Sequence, residues 1–179
     1  MPLGPVVPGR STIGGDEAVG GSLRGIHTVW TDGSGRYPTD ARLRACTWAV
    51  HAGAGHPDKW LAGILPGPVQ TIFRAELYAV IRALKATRGP LEVVSDCAGV
   101  VSTGMRYIRG KEVSPKASHA DLWRELKAEA AGREVSLRWV PSHLPEQAVW
   151  GAHFPGGLAW QPDGRQGRQQ GHEAASQAR

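Results

Sequence analysis

The sequence has few cysteines, no long apolar run and no secretory signal. Its two cysteines, Cys46 and Cys97, form neither a C-x-x-C pair nor a set of four or six, so they indicate neither a disulfide scaffold nor a zinc site. No apolar run approaches the roughly 20 residues that span a bilayer. The N-terminus lacks a basic start followed by an apolar stretch. We therefore expect a soluble intracellular protein, in the nucleus or the cytoplasm, with no membrane partner.

The composition is that of a folded protein with a basic surface. The chain has 179 residues, which suggests one domain plus tails, and its 41% hydrophobic content and seven tryptophans are typical of a globular protein. The net charge is +5 and the sequence pI is about 9.6. This balance favours a polyanionic partner such as nucleic acid.

Glycine and proline concentrate at the two ends of the chain and suggest three parts. Residues 1–24 are poor in large apolar side chains and are predicted to be a flexible Gly/Pro-rich leader. The folded domain is expected over residues 25–145. Residues 146–179 are expected to form an irregular tail.

The first half of the domain is predicted to be three strands. The run 26–31 (IHTVWT) is rich in β-branched and aromatic residues and stops at the turn-forming cluster 32–35 (DGSG). Two further runs, 44–52 and 59–65, are separated by a Gly/Pro-rich turn. Short connections of this kind indicate an antiparallel meander.

After these strands, the spacing of apolar residues becomes that of a helix. One apolar face recurs at helical spacing in the segment before Gly89-Pro90, at Phe73, Leu77, Val80, Ile81 and Leu84. The run 91–95 (LEVVS) is typical of a buried parallel strand. The remaining elements are a helix over 97–108 and a helix over 119–131 with Leu122, Trp123, Leu126 and Ala130 inward. A strand follows over 134–140, where Val135, Leu137 and Trp139 alternate with Ser136 and Arg138, and it completes the order β-β-β-α-β-α-α-β. We expect an α/β fold whose mixed five-stranded sheet carries helices on its faces.

Three acidic residues stand out against this framework. Glu76 projects from the edge of the buried helical face, where a carboxylate is costly unless a metal ion or a buried hydrogen bond compensates it; alternatively its side chain reaches solvent. Asp32 and Asp96 each follow an apolar strand, where open sheets place ligand-binding residues. Alternatively, Asp32 forms a turn and Asp96 caps the following helix.

Taken together, the motifs TDGSG (31–35), RAELYAV (74–80), VVSDCAGV (93–100) and RWVPSH (138–143) resemble the ribonuclease H type I family. That family includes the ribonuclease H domains of retroelement reverse transcriptases. The resemblance runs over about two thirds of the chain and is faint after residue 143. Each motif alone is weak, but their order on this arrangement of strands and helices is specific.

The resemblance implies a ribonuclease H-like fold and hydrolysis of the RNA strand of an RNA–DNA hybrid with two Mg²⁺ ions, for which Mn²⁺ is a possible substitute. It implies that Asp32, Glu76 and Asp96 bind the metal. It also implies that His143 assists product release or proton transfer, unless it is an ordinary loop histidine. Substrate contacts are implied for backbone groups of Gly33 and Ser34 and for the Glu76 carboxylate. They are also implied for Arg109 and Lys111, in a basic stretch with Arg106 and Lys116, unless that stretch is only a solvated loop.

The tail departs from the family pattern. The family has a fourth acid on a final helix, and here the corresponding segment, Gly171–Ser176 (GHEAAS), places Ser176 in the acid's position, which suggests a degenerate final helix. Asp163 or Glu173 could substitute. A hydroxyl is a weaker Mg²⁺ ligand than a carboxylate, so we expect reduced activity or a higher metal demand. The alternative functions are a catalytically inactive nucleic-acid-binding module of retroelement origin and, less compatible with these motifs, an exonuclease or transposase-type nuclease.

Overall fold

The computed structural model describes residues 18–37, 40, 44–53 and 55–142. Within these ranges the elements follow the predicted order, preceded by one additional short strand. They are β1 (Val19–Gly20), β2 (Thr28–Arg36), β3 (Ala45–His51), β4 (Trp60–Ile64), α1 (Ile72–Ala86), β5 (Leu91–Ser95), α2 (Ala98–Ile108), α3 (Ala120–Ala130) and β6 (Val135–Trp139).

The strands form one mixed sheet in the order β1-β4-β3-β2-β5-β6. The meander β2-β3-β4 is antiparallel, and β5 and β6 are added in parallel on the other side of β2. The α/β fold with a mixed sheet is confirmed, but the sheet has six strands rather than five. The additional strand β1 pairs with Leu61 and Ala62 of β4.

The position of β1 bears on the predicted leader. Val19 and Gly20 belong to the sheet, and Leu23 is almost fully buried. The sheet therefore begins before Gly25. Residues 1–17, and the tail from His143 onward, lie outside the described residues.

Helix α1 forms as its apolar pattern predicts. The Thr71 hydroxyl caps the helix by accepting a hydrogen bond from the Arg74 backbone N–H at 3.1 Å. The predicted core face is buried, namely Leu77, Val80, Ile81 and Leu84, with Phe73 partly buried against it. The helix ends at Ala86, before Gly89-Pro90.

The three described helices form one layer on one face of the sheet. Helix α1 packs on β2 and β3, α2 packs on β5 and β6, and α3 packs on both helices. The side chains predicted to point inward from α3, Trp123 among them, are buried. Trp139 shares the alternating positions of Val135 and Leu137 in the sequence, but those two side chains are buried and half of the surface of Trp139 is exposed.

Neither cysteine is in a disulfide in this structure. Across the described ranges, no helix has the length and apolar composition needed to cross a bilayer.

Trp48 of β3 fills the space between α1 and the sheet. Its indole is 2% exposed, meets the Tyr78 ring edge-on at 5.7 Å between centroids, and lies under the Arg82 guanidinium at 5.0 Å. Its partner across the β3–β4 pair is Gly63. A Cβ atom at position 63 would lie 2.9 Å from Trp48 Cζ2, so the indole occupies the volume that a side chain would take.

Substitution of this glycine should therefore disturb the core. We expect Gly63→Ala to lower the free energy of unfolding by about 1–3 kcal/mol, because the buried indole must move. Gly55→Ala is the matched control, since a Cβ atom there meets nothing within 4 Å. Urea unfolding followed by tryptophan fluorescence measures both variants, and equal stability of the two would contradict the packing described for Trp48.

Candidate active site

Three carboxylates from three separate elements converge at one end of the sheet. Asp32 lies in β2, Glu76 in α1, and Asp96 directly after β5. One oxygen atom from each lies within 4.8 Å of one from each of the others. The structure thus brings together the three acids that the sequence singled out.

The sheet register brings the two aspartates together. Strands β2 and β5 are parallel neighbours, with Thr31 opposite Ser95, so Asp32 and Asp96 follow paired residues. After Ser95 the chain leaves the sheet toward α2, whereas β2 continues to Arg36. This geometry leaves the Asp32 carboxylate beside the open end of β5.

Two alternatives for the aspartates are wrong. The cluster 32–35 is strand and not turn, because Asp32 pairs with Ala49 and the β2–β3 ladder continues to Arg36. The residue that caps α2 is Cys97 rather than Asp96, and it makes no side-chain capping bond. Asp32 is therefore a strand residue, and Asp96 precedes the cap of α2.

Two glycines bring α1 against β2. A Cβ atom at Gly33 would lie 2.6 Å from the Glu76 backbone nitrogen, and one at Gly35 would lie 3.1 Å from Ile72 Cγ1. The four-residue step from Ile72 to Glu76 rises about 6 Å along the helix, and the two-residue step from Gly35 to Gly33 spans about 6.6 Å along the strand. Because the two steps are nearly equal, Ile72 lies over Gly35 and Glu76 lies over Gly33. The first turn of α1 therefore lies directly on the backbone of β2.

Glu76 is held inside the protein by this contact. The residue is 4% exposed, so the alternative that its side chain reaches solvent is wrong. Its Oε2 atom has no hydrogen-bond partner among the described residues. A buried carboxylate oxygen without a donor is costly, and a cation would compensate it.

The metal-free cluster is electrostatically unfavourable. Burial, and then the Asp96 charge, raises the pKa of Asp32 to about 7, although the Gly33 backbone N–H partly opposes this. Burial, followed by the charge of Asp32, raises the pKa of Glu76 to about 9, and Asp96 contributes to the same effect. Both shifts show that this site disfavours a second and third negative charge in the absence of a positive one.

These residues fit a hard divalent cation. Mg²⁺ and Mn²⁺ prefer oxygen ligands, and the cluster offers carboxylate oxygens from rigid elements. The unsatisfied Glu76 oxygen and the raised pKa values are both relieved by positive charge at the cluster. The cluster is therefore a candidate metal centre.

Trp139 holds the backbone of Asp96, a role that the sequence did not reveal. The indole Nε1–H donates to the Asp96 carbonyl oxygen at 3.0 Å, and the Val140 N–H donates to the Ser95 carbonyl. The register of β5 and β6, with Ser95 opposite Trp139, places the indole there. The sequence contains one indication of this contact: the runs LEVVS and VSLRW have equal length, which allows Ser95 and Trp139, their last residues, to pair.

The other predicted site residues lie away from the acids or outside the described residues. Gly33 and Ser34 are in β2, next to Asp32. Arg109 and Lys111 follow the C-terminal end of α2, on the order of 15 Å along that helix from Asp96. His143, Asp163, Glu173 and Ser176 lie outside the described residues.

Comparison with known proteins gives one consistent family. The RNase H family model matches residues 25–149. Over 111 residues the chain is 32% identical to a ribonuclease H of Herminiimonas arsenicoxydans, a match covering 54% of this chain and 70% of that relative. The solution structure of the PFV RNase H domain matches with a TM-score of 0.50 and 20% identity, over 66% of this chain and 80% of that one. This last likeness concerns the fold alone.

The raised pKa of Glu76 predicts how stability depends on pH without metal. Below about pH 4.5 the carboxyl is protonated in both the folded and the unfolded chain, so it contributes no difference. As the pH rises toward 9, the unfolded chain ionises while the folded one keeps its proton, so the folded state loses stability. Glu76→Gln removes this titration, and we expect it to raise the free energy of unfolding by on the order of 1–3 kcal/mol near pH 7.5.

Thermal unfolding in a chelator across pH 4–9 measures this effect. The gain should vanish near pH 4.5 and shrink in saturating Mg²⁺, which stabilises only the parent protein. Glu134→Gln, the same change at an exposed position, is the control. Parallel pH profiles for Glu76→Gln and the parent would contradict the described burial of the carboxyl.

Proposed function

The chain belongs to the RNase H family, and we propose that it is a metal-dependent endonuclease that hydrolyses the RNA strand of RNA–DNA hybrids. The observation that carries this proposal is the convergence of Asp32, Glu76 and Asp96 within 4.8 Å in a chain of this family. The basic composition, with a net charge of +5, suits a polyanionic substrate.

Asp32, Glu76 and Asp96 would hold the divalent cations, which we propose to be two Mg²⁺ ions, with Mn²⁺ as a substitute. Bound cations would supply Lewis-acid stabilisation of the charge that develops at the scissile phosphate. Glu76 and Asp32 would release their protons on loading, because the positive charge offsets the burial and repulsion that raise their pKa values.

Residues beside the acids would position the RNA strand. Recognition of RNA in a hybrid depends on the 2′-hydroxyl groups, which hydrogen-bond to polar protein groups without reading the bases. Ser34 is partly exposed two residues beyond Asp32, and the backbone of Gly33 lies between them. We propose that backbone groups of Gly33 and Ser34 contact these hydroxyls.

A basic surface would hold the phosphate backbone farther along the duplex. Arg106, Arg109, Lys111 and Lys116 are exposed, and none forms an ion pair with another residue of the described ranges. Cations that lack internal partners are available for phosphate contacts, whose strength falls as salt rises. We propose that Arg109 and Lys111 bind the hybrid in this way.

The second candidate function is a nucleic-acid-binding module without turnover, a degenerate retroelement ribonuclease H domain. The observation that favours it is Ser176, which stands where the family pattern has a fourth acid. The two functions share the hybrid as ligand and differ in the cleavage step. We propose that His143 assists product release or proton transfer only in the catalytic case.

Cleavage of a labelled RNA–DNA hybrid across Mg²⁺ and Mn²⁺ series tests the proposed function. We expect metal-dependent cleavage that Asp32→Asn reduces at least 100-fold, because a neutral amide replaces a metal ligand. Asp58→Asn makes the same charge change at an exposed turn and should leave the rate unchanged. Hybrid binding without cleavage by the parent protein would support the binding module instead.

Restoring the fourth acid tests the role of the tail. We expect Ser176→Asp to raise hybrid cleavage at low Mg²⁺ several-fold, because a carboxylate is a better ligand than a hydroxyl. Ser176→Asn has nearly the same size without the charge and should give no gain. If the Ser176→Asp rate curve superimposes on that of the parent across the Mg²⁺ series, Ser176 does not correspond to the family's fourth acid.

A further inference from the structure

We propose that Gln70 is a positioning residue for Glu76: its side-chain amide fixes where α1 begins on the sheet and thereby sets the distance between the Glu76 and Asp32 carboxylates. This inference rests on the proposed function, because it assigns Gln70 a part in assembling the same metal site.

The Gln70 amide takes the place of one bond in the β3–β4 ladder. Cys46 and Leu65 continue the register after Thr47 and Ile64 at a hydrogen-bonded position of the ladder, where the two residues normally exchange two backbone bonds. One is present, from Leu65 N–H to the Cys46 carbonyl at 2.8 Å. In place of the other, Cys46 N–H donates to Gln70 Oε1 at 2.8 Å and Gln70 Nε2 donates to the Leu65 carbonyl at 2.9 Å.

The amide is also tied to the loop that leads into α1. Gln70 Nε2 donates a second bond, to the Gly67 carbonyl at 2.6 Å. Both N–H groups of the amide are therefore donated to backbone carbonyls, and its oxygen accepts from a backbone N–H. One side chain thus joins the start of β3, the residue after β4 and the loop before the helix.

The position of Gln70 in the chain transmits this geometry to the helix. The next residue, Thr71, is the N-cap of α1, and its hydroxyl and carbonyl accept from Arg74 and Ala75. Glu76 follows shortly after Thr71 in the same rigid helix, so a shift at the start of the helix moves its carboxylate by a similar distance.

Glu76 depends on the helix for its placement. Its Oε2 has no hydrogen-bond partner among the described residues, and the carboxylate accepts one backbone bond, from the Gly33 N–H of β2, so its position depends on how the helix backbone sits against that strand. That backbone is already as close to β2 as glycine allows, with 2.6 Å from Glu76 N to a Cβ atom at Gly33. Sliding along β2 is limited by the buried face of α1 and by the Arg74–Asp121 ion pair, and within those limits Gln70 fixes the position of the helix start. Metal ligands tolerate displacements of only about 0.5 Å before affinity falls.

The test compares Gln70→Met with a change at the far end of the same helix. Gln70→Met keeps the length of the side chain and removes all three bonds. Thr87→Val is the matched control, because the fully buried Thr87 hydroxyl donates to the Ala83 carbonyl at 2.8 Å and accepts from Arg133 Nη2 at 3.1 Å. Each change should lower the midpoint temperature of thermal unfolding by a similar amount, and only the first should disturb the metal site.

The principal readout is Mn²⁺ affinity, measured by calorimetry or electron paramagnetic resonance well below the unfolding temperature. We expect Gln70→Met to weaken Mn²⁺ binding about 10-fold and Thr87→Val to change it less than twofold. The Mg²⁺ concentration for half-maximal hybrid cleavage should rise by the same factor. Gln70→Leu is a second variant in case the first does not fold; it also removes all three bonds and should show a similar loss.

Parent-like Mn²⁺ affinity in the Gln70 variants, or an equal loss in Thr87→Val, would overturn the assignment. A failure of the proposed function can be told apart from a failure of this assignment. If the parent binds Mn²⁺ but does not cleave the hybrid, the proposed nuclease function is rejected. The comparison of Mn²⁺ affinities still decides the role of Gln70. If the parent binds no Mn²⁺, the metal site and the positioning role are both overturned.

Discussion

The contact between the first turn of α1 and the backbone of β2 is the constraint on which the site depends. Gly33 and Gly35 allow a helix to lie on a strand without intervening side chains. This proximity buries Glu76 beside Asp32 in a place with little water and few donors. Wider spacing would solvate both acids, and the electrostatic demand for a cation would disappear.

The other parts of the site hold the contact and the third acid in register. Parallel pairing of β2 with β5 brings Asp96 to the same end of the sheet as Asp32. The indole of Trp139 holds the Asp96 carbonyl from β6, and a bidentate ion pair between Arg74 and Asp121 ties the start of α1 to α3. The acids therefore rest on a framework that spans the sheet and the helix layer. Such rigidity suits metal chemistry, in which the positions of the ligands decide affinity.

Much of the fold was predictable because local signals and packing agree. The apolar face of α1 and the run LEVVS gave correct elements, since the same residues that favour each element also bury it. The cluster DGSG was misread as a turn, because its glycines serve the approach of α1, a tertiary contact that composition does not reveal. The alternation over β6 did not reveal the environment of Trp139 for a similar reason: the indole lies at a strand end and bonds to Asp96 instead of packing in the core.

The site was predictable only in part. The three acids stand in recognisable motifs, and the cost of burying Glu76 could be inferred from its helical position. The amide of Gln70 could not have been found in this way, because its partners, Cys46 and Leu65, are defined by a strand register that the sequence does not specify. A role that depends on the pairing register of two strands cannot be predicted from the pattern of residues along the chain.

The short strand β1 has a consequence for handling the protein in solution. It pairs with Leu61 and Ala62, the second and third of the five residues of β4, and the Gly21 N–H donates to the Trp60 carbonyl. An uncovered edge strand presents unpaired backbone N–H and C=O groups, with which a strand of another chain can pair. Strand β1 occupies the middle of β4 and so covers this edge. A shortened protein beginning at Gly25 would keep the acids and the helices but expose that edge, and it would be prone to aggregate through edge-to-edge association.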